Sequence, residues 1–175
     1  MVAPSRLAHV VFRTNQLDAM VTWYCKLLEA RVAYADKGIC FITYDDEHHR
    51  VAFIAMEKYA EKPQATSVGF YHVAFAFDDL GTLLGNYERL NGEGVKPWRS
   101  IIHGPTVSFY YRDPDGNDVE MQVDSFPDAE TTNAWMRSDA FARNPIGVLF
   151  DPEEMIARRK AGVPDVDLMR RPDTV

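Results

Sequence analysis

The chain has 175 residues, 46% hydrophobic and 26% charged, with a formal charge of -7 at pH 7. A chain of this length buries one sizeable core or two small fused modules rather than two full domains, and no apolar run approaches the roughly 20 residues of a membrane helix. The acidic balance argues against a nucleic-acid partner, because phosphate binding needs a basic surface and no basic cluster precedes Arg158-Arg159-Lys160. Two cysteines, Cys25 and Cys40, form no CxxC pair, and the N-terminus carries no signal-peptide pattern, so a reduced, cytoplasmic protein is expected.

From the N-terminus, residues 8–32 lie over residues 71–95 without a gap, placing His9 on His72 and Val32 on Val95. Each copy opens with an apolar strand, His-Val-Val-Phe or His-Val-Ala-Phe, and passes into a helix. The helical spacing is carried by Met20, Trp23, Tyr24, Leu27 and Leu28 in the first copy and by Leu80, Leu83, Leu84, Tyr87 and Leu90 in the second. The rest of each copy reads as strands, FITYDD and RVAFIAM against SFYYRD and DVEMQV, with a turn at Asp113-Pro114-Asp115-Gly116-Asn117. Each copy is therefore a βαβββ module, spanning 6–60 and 68–124, and the expected fold is α+β, with the two modules forming a curved mixed sheet. Glu57, Lys58 and Glu61 fall in the solvated linker between copies. Residues 125–175 are an appended helical tail, with a helix over 129–141, a break at Asn144-Pro145, and a last helix that starts at Asp151-Pro152 and ends near Gly162.

Strand alternation sets His9 with Val11, His72 with Ala74, Ser108 with Tyr110, and Glu120 with Gln122 on faces that share a hollow if the modules close on one another. Two imidazoles and a carboxylate on one side of a metal are the ligand set of mononuclear iron(II) oxygenases, which leave positions open for substrate and dioxygen. With a longer loop allowed in the second copy, residues 41–53 lie over 109–121 and Glu120 falls on Ala52, so a methyl group stands where a fourth protein ligand could sit. Trp23, Trp98 and Trp135 read as core or tail packing. Phe141, Pro145 and Ile146 wall the pocket if the tail folds back over its mouth.

His9 and His72, the segment Asp46-Glu47-His48-His49-Arg50-Val51-Ala52-Phe53, His103, and Ser108-Phe109-Tyr110 followed by Asp113-Pro114-Asp115-Gly116 and Glu120 resemble the catalytic module of the type I extradiol dioxygenases of the vicinal oxygen chelate superfamily. The resemblance runs from about residue 7 to 124, and the tail is similar to that of the small one-domain members. It implies iron(II), with manganese(II) the alternative, held by His9, His72 and Glu120. It implies His49 as the acid/base, with His48 its solvent-side neighbour, and Tyr110 and His103 around the bound diol. The loop from His103 to Tyr110 is shorter than in the larger two-domain enzymes and lacks their Asn-Asp pair. An aromatic diol and O2 are the implied partners, with ring opening the implied reaction, and a homo-oligomer is expected by analogy. The competing readings are a glyoxalase-type isomerase or epimerase, and a non-catalytic resistance protein of the same fold.

Overall fold

The computed structural model describes residues 2–172 apart from 57, 61, 63, 65 and 66, so the linker positions Glu57 and Glu61 lie outside the described residues. The chain forms two compact units. One comprises residues 1–70 with 113–117, and the other residues 71–112 with 118–175.

In the first unit, β1 (Val10–Arg13) leads to α1 (Leu17–Leu28), then β2 (Arg31–Asp36), β3 (Ile39–Thr43) and β4 (Val51–Ile54). The sheet order is β1-β4-β3-β2, with β1 parallel to β4 and the other pairs antiparallel. α1 buries Met20, Tyr24 and Leu27 completely, on the side where the Phe12 and Phe53 rings pack at a tilt against the Tyr24 ring. The helical spacing read from the sequence thus marks the core face. The turn 113–117 groups with this unit. Buried Asp113 accepts hydrogen bonds from the Tyr24 hydroxyl at 3.1 Å, the Asn117 backbone N–H at 2.7 Å and Asn117 Nδ2 at 2.8 Å.

In the second unit, β5 (His72–Phe77) and α2 (Leu80–Gly92) precede β6 (Arg99–Ile102), β7 (Thr106–Arg112) and β8 (Asp118–Asp124). The tail adds α3 (Ala129–Met136), α4 (Asp139–Arg143), β9 (Val148–Leu149), α5 (Pro152–Lys160) and α6 (Asp165–Leu168). The sheet order β5-β8-β7-β6-β9 repeats that of the first unit with one strand appended. α2 starts at Asp79, whose carboxylate accepts the Thr82 backbone N–H at 2.8 Å, and its expected stripe of Leu80, Leu83, Leu84, Tyr87 and Leu90 is buried throughout.

The ladders settle the correspondence between modules. Val11 pairs with Ala52 in the first parallel ladder and Ala74 with Glu120 in the second, so Glu120 does occupy the place of Ala52. The neighbouring strand differs from the expectation. Phe41 stands opposite Ala52 while Tyr110 stands opposite Glu120, so Phe41 corresponds to Tyr110 rather than to Phe109. The turn carrying His48 and His49 is therefore one residue longer than the turn 113–117, which shifts the overlay of 41–53 on 109–121 along the first strand.

The tail departs from expectation at two points. The helix over 129–141 is two helices, because Ser138 takes extended backbone and its hydroxyl accepts the Phe141 N–H, which starts α4 afresh. β9, absent from the sequence reading, pairs Val148 and Leu149 with Ile102 and Ile101 of β6. Trp98 is not a packing residue: it is 46% exposed, with the Arg112 guanidinium over its ring.

Candidate active site

β5, β8, β7 and β6 place Ala74, Glu120, Tyr110 and Arg99 in one cross-strand row, and side chains in such a row share a face of the sheet. His72, at the start of β5, turns Nε2 to within 2.9 Å of Glu120 Oε2. Glu120 is 5% exposed, although most carboxylates on strands face water. Burying an ionised carboxylate is costly unless a cation or several donors offset it. His72 Nδ1 is itself buried without a hydrogen-bond partner among the described residues. An imidazole and a buried acid that converge with no Lys or Arg ion pair fit a divalent metal, and the described residues of this unit add no third ligand-type side chain to them.

Beside this pair, the Tyr110 hydroxyl lies 2.9 Å from His103 Nε2. His103 Nδ1 meets the carbonyl oxygen of Ile146. A carbonyl can only accept, so Nδ1 carries the hydrogen and Nε2 presents its lone pair to the Tyr110 hydroxyl, which also lies within hydrogen-bond reach of the Glu120 carboxylate. Burial holds the His103 pKa below the usual histidine value, with the Ile146 carbonyl pulling the other way. Burial, then the Glu120 charge, pushes the Tyr110 phenol above its ordinary value. Both groups are thus kept neutral near pH 7, one as a base and the other as a donor.

The first unit carries the other expected residues. His9 is exposed immediately before β1, and its ring centroid lies 4.5 Å from that of His49. The other side of His49 stacks on Phe41 at 4.6 Å with a 17° interplanar angle. His48 was expected to point away from His49. The two instead share a hydrogen bond at 2.6 Å between their Nδ1 atoms, with His48 on the solvent side. Burial, followed by the neighbouring His9 and His48, lowers the His49 pKa, so this imidazole also favours the neutral form. Arg50, unremarked in the sequence, donates from Nη1 to the carbonyls of Leu7 and Ala8 at 3.2 Å each and from Nε to Asp45 at 2.9 Å. It fixes the two residues that lead into His9.

The sequence reading took Asn144 only as part of a helix break and passed over Arg171; the Asn144 side chain binds backbone groups of Ile146 and Gly147, and Arg171 binds the carbonyls of His103, Ala140 and Asn144. Asn144 is followed at once by a proline and three places on by Gly147, a spacing that marks a side-chain-stabilised turn. Arg171 gives no such signal.

Residues 6–121 match the Glyoxalase/Bleomycin resistance protein/Dioxygenase superfamily, and the chain belongs to that superfamily. It is 44% identical to biphenyl-2,3-diol 1,2-dioxygenase 2 of Rhodococcus globerulus over 94% of this chain and 86% of that protein. It is 43% identical to biphenyl-2,3-diol 1,2-dioxygenase 3 of the same organism over 98% of this chain and 90% of that protein. Among solved structures, the lactoylglutathione lyase of Agrobacterium tumefaciens superposes with a TM-score of 0.55 at 20% identity, covering 69% of this chain and 94% of that one. A superfamily domain from Frankia sp. EAN1pec superposes at 0.57 and 17% identity, covering 70% and 93%. These structures attest the fold. Within the superfamily the chain is an extradiol ring-cleaving dioxygenase, a class that requires a metal.

Proposed function

We propose that the enzyme is an iron(II)-dependent dioxygenase that opens the ring of an aryl-substituted catechol of the biphenyl-2,3-diol type, using His9, His72 and Glu120 as metal ligands. We further propose that residues 1–175 act as one vicinal-oxygen-chelate domain that assembles as a homo-oligomer. The observation that carries the reading is the cluster of His72, buried Glu120, Tyr110 and His103 on one sheet face, where a metal-binding pair adjoins a neutral donor and acceptor. The 43–44% identity to the Rhodococcus biphenyl-2,3-diol dioxygenases supports the substrate class. Ala52, standing where Glu120 stands in the other module, disfavours the four-ligand arrangement of glyoxalase-type isomerases.

Bound at these ligands, iron(II) supplies the Lewis acidity that favours ionisation of the diol and an electron path between diol and dioxygen. Tyr110 donates a hydrogen bond to a substrate oxygen, exchanging His103 Nε2 for it as partner. His103 Nε2, freed of Tyr110, is a lone pair able to accept a proton from the reacting oxygens. His49 serves as the second proton carrier: a neutral imidazole held between Phe41 and His9 takes the diol proton and returns one later. The apolar row Val11, Ala52, Phe41 and Tyr34 in the first module, where the second carries Ala74, Glu120, Tyr110 and Arg99, suits a hydrophobic aryl ring.

The test is anaerobic reconstitution with iron(II), followed by 2,3-dihydroxybiphenyl and a panel of simpler catechols in air. A yellow ring-fission product is expected, formed fastest from the aryl-substituted diol. Bound iron with no coloured product from any diol overturns the assignment. Faster turnover of unsubstituted catechol overturns the substrate class alone.

A further inference from the structure

The tail holds His103 from three sides. Besides the Ile146 carbonyl on Nδ1, the His103 carbonyl oxygen accepts a hydrogen bond from Arg171 Nη1 at 3.3 Å. The following residue, Gly104, lies against the Trp135 ring so closely that a Cβ there would fall 1.9 Å from it. The Arg171 guanidinium stacks over the same ring, 4.8 Å from its centroid. It also donates to the carbonyl of Ala140 at 2.5 Å and to that of Asn144.

Asn144 governs the direction of the Ile146 carbonyl. Its Oδ1 accepts the backbone N–H groups of Ile146 at 3.2 Å and Gly147 at 2.8 Å, and its Nδ2 donates to the Gly147 carbonyl at 2.9 Å. Gly147 takes a φ of 103° and approaches the β6 backbone so closely that a Cβ would lie 2.3 Å from the Ile102 oxygen. Arg171 ties both ends of this arrangement together, since Nη1 of its planar fork donates to the carbonyls of both His103 and Asn144 while Nη2 donates to that of Ala140. A lysine ammonium has donors radiating from a single atom and no flat face to lay on Trp135.

We propose that Arg171 is a positioning residue for His103. By joining the carbonyls of His103, Ala140 and Asn144 over Trp135, it holds the Ile146 carbonyl against Nδ1 and so fixes His103 as the Nδ1–H tautomer, with Nε2 as acceptor toward Tyr110. A neutral imidazole without this restraint exchanges its proton between the two nitrogens, and whenever Nε2 carries it the ring no longer accepts from Tyr110 or substrate. The role of His103 toward substrate rests on the function proposed above. The tautomer assignment does not.

The deciding measurement is therefore made first on metal-free protein. Long-range 1H–15N correlation spectra, with the His103 signals assigned by their loss in His103→Gln, should show a protonated Nδ1 and an unprotonated Nε2. In Arg171→Ala both nitrogens should move toward exchange-averaged values. An unchanged His103 pattern in Arg171→Ala overturns the proposal. On iron-loaded protein, Arg171→Ala should lower kcat by about tenfold or more with KM within about twofold, and should add less than about twofold in a His103→Gln background. Equal losses in both backgrounds also overturn it. Arg171→Lys should recover only part of kcat, and full recovery would show that charge rather than the three-carbonyl geometry matters, against the proposal. If Arg171→Ala does not fold, Asn144→Ala loosens the same Ile146 carbonyl and is read by the same two criteria. A parent enzyme inactive toward every catechol counts against the proposed function, while the spectra of metal-free protein still decide the positioning role.

Discussion

Tyr24→Phe removes one oxygen from a fully buried ring and leaves its contacts with Phe12 and Phe53 in place, at centroid distances of 5.3 and 5.2 Å. What is lost is the 3.1 Å hydrogen bond to Asp113, a carboxyl only 4% exposed whose remaining donors both come from Asn117. A hydrogen bond to a charged group contributes about 1.5–3 kcal/mol, against about 1 kcal/mol between neutral groups. For a chain of this size each kcal/mol moves Tm by roughly 2–4 °C, so Tm at pH 7 should fall by about 3–12 °C. The pH dependence has a definite sign. Burial raises the folded-state pKa of Asp113 above 3.8, the Asn117 and Tyr24 donors working against it. A raised carboxyl contributes stability that is complete below the unfolded value and is lost as pH rises through the folded one. Removing the Tyr24 donor raises the folded pKa further, so the variant's deficit should grow with pH and be larger at pH 7 than at pH 4. Urea titrations at the two pH values, followed by far-UV circular dichroism, measure both deficits. Equal midpoints for parent and variant at pH 7, or a larger deficit at pH 4, would refute the reasoning.

Three further substitutions probe the site. Tyr110→Phe leaves His103 Nε2 without its donor and should lower kcat for ring cleavage by about 10–100-fold, the equivalent of one charge-assisted hydrogen bond; a rate within twofold of the parent in steady-state assays would remove the phenol from the mechanism. His9→Ala should weaken iron(II) binding by more than about 100-fold in competition with a chelator, since a ligand should matter more than the outer-shell groups whose loss costs 10–100-fold. Affinity equal to the parent's would exclude His9 from the ligand set. Arg50→Ala frees the carbonyls of Leu7 and Ala8 ahead of His9, and should cost about tenfold in iron affinity while leaving the His72–Glu120 pair intact. Unchanged affinity would show that His9 is placed without Arg50.

Much of this architecture is legible in the amino-acid order because duplication leaves two samples of one pattern. The apolar stripes of α1 and α2 are core faces as read, and His9 and His72 sit at matching places because each precedes or opens the first strand of a module. Glu120 against Ala52 is equally visible, since the parallel ladders run in the same register. The correspondence of Phe41 with Tyr110 is not, because it depends on one extra residue in a turn, and turn length has no hydrophobic period to report it. The contact between His48 and His49 was hidden for a related reason: alternation governs strands, and these residues lie in a bend where neighbouring side chains can converge. The tail was least readable. Its helices are short, Ser138 restarts one of them, and the bonds of Arg171 go to backbone carbonyls, which carry no sequence identity.

β9 is only two residues long, yet it changes the colloidal character of the protein. A sheet's outermost strand offers unpaired N–H and C=O groups to any other chain it meets. In the first module that strand is β2, exposed along all six residues, and it carries its own deterrents: an irregularity between Val32 and Tyr34, and charges at Arg31 and Asp36. β6 has no comparable defence along Ser100, Ile101 and Ile102, all buried, and relies on Val148 and Leu149 to cover it. Proteolytic trimming of the C-terminal segment would therefore uncover a sticky, apolar rim, and loss of solubility on storage should accompany loss of the tail.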